Sequence, residues 1–216
     1  IAGHHGEGAQ VIYNDISKVM QVLHDGAAIY VFYVKKLMMR GNYSHNIGEE
    51  GGNPRHAYYL DEMSEDCDVA ENLAVNVPWP FHNHMAPHCR IWGNVAIVHG
   101  DAKITFPRSS DFILEHNVIY ATGSITFDRI NAVTAFIRNI FYSQTGQVIG
   151  IARDDKVGGP QVVLETKEIP STEDTLIEDP LFVDMEHGDY RYQAASPAHR
   201  LGIQPIDVRG TGRTRR

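Results

Sequence analysis

One asparagine returns along this chain inside the same short phrase, and that recurrence restricts the fold more than any other feature. The phrases are "LMMRGNYSHNIG" (Asn42), "CDVAENLAVNVP" (Asn72), "CRIWGNVAIVHG" (Asn94), "FILEHNVIYATG" (Asn117) and "AFIRNIFYSQTG" (Asn139), with a weaker "VIYNDISKV" at Asn14. Successive markers from Asn14 to Asn139 are 28, 30, 22, 23 and 22 residues apart. Three positions before the Asn stand Met39, Val69, Ile91, Leu114 and Phe136; one after it stand Tyr43, Leu73, Val95, Val118 and Ile140. Five before it stand Leu37, Cys67, Cys89, Phe112 and Thr134, while the columns between are mixed, Met38, Asp68, Arg90, Ile113 and Ala135 being one such set. Apolar columns two residues apart, with mixed columns between, are the period of strands. A helical array needs apolar spacings of three and four and longer units.

Short strands repeated about every 22 residues predict an all-β fold, a right-handed parallel β-helix (a solenoid) with one coil per repeat. Residues 1–216 are expected to form a single domain. Within it, 1–146 hold the coils, and 147–216 hold the last coil and a C-terminal capping segment over the open strand edges. No matching cover stands at the N-terminal end. The isolated chain is therefore expected to be marginally stable, or protected by upstream residues of a longer protein or by another chain. The two cysteines, Cys67 and Cys89, share one inward column of successive coils, which predicts small core side chains stacked about 4.8 Å apart; a disulfide is not required. The Asn column is structural, since Asn accepts left-handed or bridge backbone at a bend and can bond its counterparts above and below.

The two long intervals predict lengthened loops at 24–36 and 48–62, and loops added to one side of a solenoid build its binding face. A net charge of -8 with a basic run only at the "RTRR" end excludes broad nucleic-acid binding. No apolar run reaches membrane-spanning length, so no membrane partner is expected.

Three stretches near the expected loops carry chemistry. "HDGAAIY" holds Asp25; "HAYYLDEMSED" holds Tyr58, Tyr59, Asp61 and Glu62; "WPFHNHMAPH" holds Trp79, Phe81, His82, His84 and His88. Counting back eleven residues from Asn72 and Asn94 sets Asp61 against Asn83, beside His82 and His84. Paired carboxyls with aromatics and imidazoles suit glycosidic bond cleavage: one carboxyl protonates the leaving oxygen, and the other attacks or activates water. The bland alternatives are an Asp-Gly turn for Asp25 and a solvated turn for Asp61 and Glu62. Asp61, crowded by Tyr59 and Glu62, is expected to have a raised pKa. His82 and His84 share a strand face and could chelate a metal with His88 or Asp61; binding of a polar ligand, or a satisfied core contact, is favoured, and no metal or cofactor is assigned. His4 and His5 in "GHHGEG" could join this surface, or stand in a loop. Lys35, Lys36, Arg40 and Arg55 lie near the long intervals, but no basic cluster is seen to face the carboxylates.

The chain resembles right-handed parallel β-helix proteins of carbohydrate metabolism, above all bacterial glycoside hydrolases whose families include xylan-, xyloside- and fucoside-cleaving members. "GHHGEG", "DGAAIY", "YYLDE", "FHNHMAPHCRIWGN" and "DPLFVDMEHGDYRYQAASPAHRLG" carry the resemblance. It implies a catalytic pair Asp25 and Asp61, with Tyr59, Glu62, Trp79, His82, His84 and His88 binding a polysaccharide or oligosaccharide. It also implies a secreted or periplasmic enzyme, and a chain that is the C-terminal portion of a longer one. A polysaccharide lyase acting on a uronate polymer, and a non-catalytic glycan-binding or structural β-helix, are the other two readings.

Overall fold

A computed structural model describes residues 1–22, 25–48, 55–154 and 161–212. The protein is all-β with mostly parallel sheets, and the chain visits three sheets in rotation. The first sheet runs in the order Ala2–Glu7, Ala27–Lys35, His56–Leu60, Trp79–Asn83, Ala102–Thr105, Ile125–Asp128, Val148–Asp154 and Val162–Glu168. The second contains Met38–Arg40, Asp68–Ala70, Arg90–Trp92 and Phe112–Glu115; the third contains Tyr43–His45, Leu73–Val75, Val95–Val98 and Val118–Ala121. Every pairing within these three sheets is parallel except the last of the first sheet, where Val162–Glu168 turns back antiparallel on Val148–Asp154. The arrangement is compatible with a β-helix-like solenoid. Its repeating core is the set of inward side chains, among them Ile29, Tyr58, Phe81, Ile104 and Phe127, each burial contributing about 1.5–3 kcal/mol.

The Asn marks the two-residue corner between the second and third sheets. Each Asn side-chain oxygen accepts from both the backbone and side-chain N–H of the Asn one turn earlier: Asn42 to Asn72 at 2.9 and 2.9 Å, Asn72 to Asn94 at 2.9 and 3.0 Å, Asn94 to Asn117 at 3.1 and 3.0 Å. The expected left-handed backbone is present but falls one residue earlier, on Tyr13, Gly41, Glu71, Gly93, His116 and Arg138 (φ from 50° to 64°). The Asn itself is selected for its side-chain bonds. Cys67 and Cys89 are free and buried, as their shared column predicts, and the Cys67 N–H points at Cys89 Sγ at 3.4 Å.

The expected loop at 24–36 changes, and the one at 48–62 lies partly outside the described residues. The stretch 24–36 is mostly strand, Ala27–Lys35, because its apolar residues extend the first sheet instead of looping away from it; Leu23 and His24 lie outside the described residues. In 48–62, residues 49–54 also lie outside them, and His56–Leu60 is a buried strand. The C-terminal segment also has a different position. Residues near Ile169 and Ile177 pack on the main core, but Phe182, Tyr192, Ala198, Leu201 and Ile203 lie along the outer face of the third sheet, against Leu73, Val95, Ile97, Val118, Tyr120 and Ile140. That outer face is as apolar as the inner one, so it requires its own cover. The short helix Pro197–Leu201 begins at Ser196, whose hydroxyl accepts the Ala198 N–H, and ends at left-handed Gly202. Beyond it the chain runs back along the stack until the Gly212 N–H bonds the Tyr13 carbonyl at 2.8 Å. Among the described residues, no helix is long and apolar enough to cross a membrane.

Candidate functional site

The parallel register of the first sheet places Tyr30, Tyr59, His82, Thr105 and Asp128 in one column across five strands. Beside this column lies a cleft of about 410 Å³ whose walls include Asp25, Asp61, Glu62, Trp79, His84 and Lys103. Six of the expected site residues besides Tyr59 are thus gathered: Asp25, Asp61, Glu62, Trp79, His82 and His84. His88 is not. It occupies an exposed corner with left-handed backbone (φ 57°) and faces Asp111 at 3.7 Å. His4 and His5 do not line the cleft either; they contact one another at 2.7 Å and pack on Phe32 and Tyr33.

Asp61 is held by two side-chain donors. Its Oδ2 accepts the Tyr30 hydroxyl at 2.7 Å and its Oδ1 accepts His84 Nδ1–H at 2.8 Å. Burial pushes its carboxyl up, but the His84, Tyr30 and Glu62 N–H bonds outweigh burial and hold it near 2, below the ordinary 3.8. This corrects the expected raised pKa: the hydrogen-bond donors decide the sign, and the nearby Glu62 carboxylate does not. The register differs by one as well. Leu60, rather than Asp61, opposes Asn83, so Asp61 falls beside His84. The cause is one additional residue between this strand and the Asn72 corner.

His82 and His56 stack with ring centroids 4.4 Å apart. Burial lowers His82 to about 2 and His56 to about 4, so both rings are neutral at pH 7. His82 Nδ1 contacts the Thr105 hydroxyl, and His56 Nδ1–H donates to the Gly26 carbonyl at 3.0 Å. His56 Nε2 is buried without a partner among the described residues. Tyr59 is 3% exposed, and burial together with Asp61 raises its phenol.

Trp79 carries a cation. The Lys103 ammonium lies 4.6 Å from its ring centroid, and His56 packs nearby at 5.4 Å. Lys103, Arg108 and Arg129 line the same cleft as Asp25 and Asp61, so basic groups share the cleft with the carboxylates. The basic residues near the long intervals are engaged elsewhere: Lys35 with Glu65 at 2.6 Å, Lys36 with Glu7 at 2.7 Å, Arg40 with Glu71 at 2.8 Å. Tyr30, His56, Lys103, Thr105 and Asp128 were not among the sequence candidates. Extending the His82 column one repeat forward finds Thr105, twelve residues before Asn117 as His82 is twelve before Asn94; Asp128 lies a further repeat on.

Set against protein-family models, curated proteins and solved structures, the chain matches none of them.

Functional interpretation therefore rests on the cleft. It presents an ionised, doubly hydrogen-bonded carboxylate (Asp61), a second carboxylate on left-handed backbone at its margin (Asp25, φ 58°), neutral imidazole at His82 and cations on one wall. Such a set can bind hydroxyls, stabilise charge of either sign and accept a proton. Among the described residues no three His, Cys, Asp or Glu side chains are grouped to hold a metal.

Proposed function

We propose that this chain is a right-handed parallel β-helix whose cleft binds a polysaccharide or oligosaccharide and hydrolyses its glycosidic bonds with two carboxylates. The right hand follows the general preference of parallel crossovers. The observation that carries the reading is the Asp61 carboxylate, held ionised by Tyr30 and His84 in a cleft that Asp25 also lines. Two-carboxylate chemistry requires one group that stays negative and one that delivers a proton. Asp61 suits the first role, as nucleophile or as base toward water. Asp25 takes the second, as proton donor to the leaving oxygen. The His82 and His84 imidazoles bind sugar hydroxyls. Sharing one cleft favours this enzymatic reading over a non-catalytic shaft, which predicts carboxylates with no cleft between them.

A second reading is supported by Lys103, Arg108 and Arg129 on the cleft wall. A polysaccharide lyase needs cations to neutralise a uronate carboxylate before a proton is removed beside it. Product analysis separates the two. On a panel of neutral and acidic polysaccharides, saturated products that disappear in both Asp61→Asn and Asp25→Asn support hydrolysis by this pair. Unsaturated products move the assignment to the lyase. No product from the unmodified chain, with glycan binding unchanged in both variants, leaves a binding module or a scaffold.

A further inference from the structure

We propose that the cleft selects an acidic sugar, a uronic acid residue whose carboxylate docks on the Lys103 ammonium beside Arg129. The inference rests on the reading of this cleft as a glycan site and names the substrate class that it takes.

Trp79 offers a more accessible ring on the cleft wall than Tyr59, and a cation lies against it. A neutral pyranose is held chiefly by stacking on an open aromatic face, yet the Lys103 ammonium lies 4.6 Å from the Trp79 centroid. Tyr59, the other aromatic of the cleft wall, is 3% exposed and packs edge-on against His82 and Tyr30. The aromatic groups therefore shape the wall and hold a cation, rather than offer a free platform. A cation over an indole is attracted by the ring quadrupole, which fixes Lys103 in place without neutralising it.

Asp128 supplies the second observation. This carboxylate is 3% exposed and three cations converge on it: Arg153 Nε at 2.6 Å, Arg129 Nη1 at 2.8 Å and Lys103 Nζ at 3.4 Å. The two arginine contacts are short and charge-assisted; the lysine contact is the long one. Lys103 is thus the least committed of the three, with a third of its side chain exposed toward the cleft (34%). A planar carboxylate arriving there meets a positioned ammonium with donor capacity to spare. Asp25, Asp61 and Glu62 also line the cleft, which places the anionic substituent at the Lys103 wall and leaves the reacting bond to the acidic residues.

The test is binding of a uronic acid tetrasaccharide and of the same compound after carboxyl reduction to the neutral sugar. It is measured by calorimetry on the chain as it stands and on Asp61→Asn, which prevents turnover. The expected result is at least ten-fold tighter binding of the acidic form, weakening as salt is raised. That preference should be lost in Lys103→Gln and retained in Lys103→Arg, with thermal melts showing both variants folded. Equal affinity for the acidic and reduced sugars, or a preference that survives Lys103→Gln, overturns the proposal. A sulfated oligosaccharide that binds more tightly than the uronate overturns the carboxylate assignment. Cleavage of neutral glycans at undiminished rate in Lys103→Gln removes the acidic-sugar inference and leaves the hydrolase standing. A uronate preference that depends on Lys103, with no cleavage of any glycan, does the reverse.

Discussion

Asp61 and His82 in the cleft, with His56 stacked on His82, make this part of the molecule sensitive to acid. His82 and His56 have folded-state values, about 2 and about 4, below the ordinary 6.5. Between those values the unfolded chain binds more protons than the folded one, so stability falls as pH drops below about 6.5. The loss reaches on the order of 2–3 kcal/mol for each ring by pH 4. Asp61 acts in a lower window. Its folded value near 2 lies below 3.8, so its contribution of about 2 kcal/mol is intact above pH 4 and is lost as pH falls through 2. Urea melts from pH 7 to pH 4 should therefore show a progressive decline, and His82→Gln should flatten it. A stability that stays level across this range would show that neither ring is held neutral.

At the scale of elements, the Asn corners decide how strand follows strand. Asn94 accepts from Asn72 and donates to the Val69 carbonyl at 2.8 Å and to Asn117 at 3.0 Å, all in a fully buried corner. Asn94→Ala leaves these groups without partners and should cost about 3–5 kcal/mol in urea melts. Asn14→Ala, at the first and partly exposed corner, should cost about 1 kcal/mol or less. Equal costs would mean that the corner backbone, rather than the side-chain ladder, holds the turn. This ladder was legible in the sequence because every corner needs the same side chain, and the strands flanking it keep their period of two. The site was legible in part. Asp61, His82, His84 and Trp79 stand out because adjacent repeats align them. His88 misled because its neighbours in sequence are separated from it by a corner. Lys103 and Asp128 were missed because neither belongs to a motif: only the folded stack brings Lys103 over Trp79 and Asp128 to Lys103, Arg129 and Arg153. The charge state of Asp61 depended on Tyr30, 31 residues away, which no local motif announces.

For the whole molecule, the outer face of the third sheet is the exposed flank most in need of cover. Leu73, Val95, Ile97, Val118, Tyr120 and Ile140 are buried only because the segment from Phe182 to Ile203 lies on them. A chain ended after Ile177 should present this apolar strip to water and aggregate, read out by light scattering and dye binding. A soluble, monomeric truncated chain with its native melting temperature would show that the segment is dispensable.

A stack in which each turn touches only its neighbours ordinarily unravels from an end, one turn at a time. Here the last described residue, Gly212, is bonded to Tyr13 in the first turn, and the residues before it run along the turns between. The C-terminal segment thereby works as a tie-rod: loosening the first turn must also break a contact made by this segment, which leaves the stack at its other end. A linear array becomes a closed mechanical loop, so the molecule should yield to heat or force in one step rather than fray.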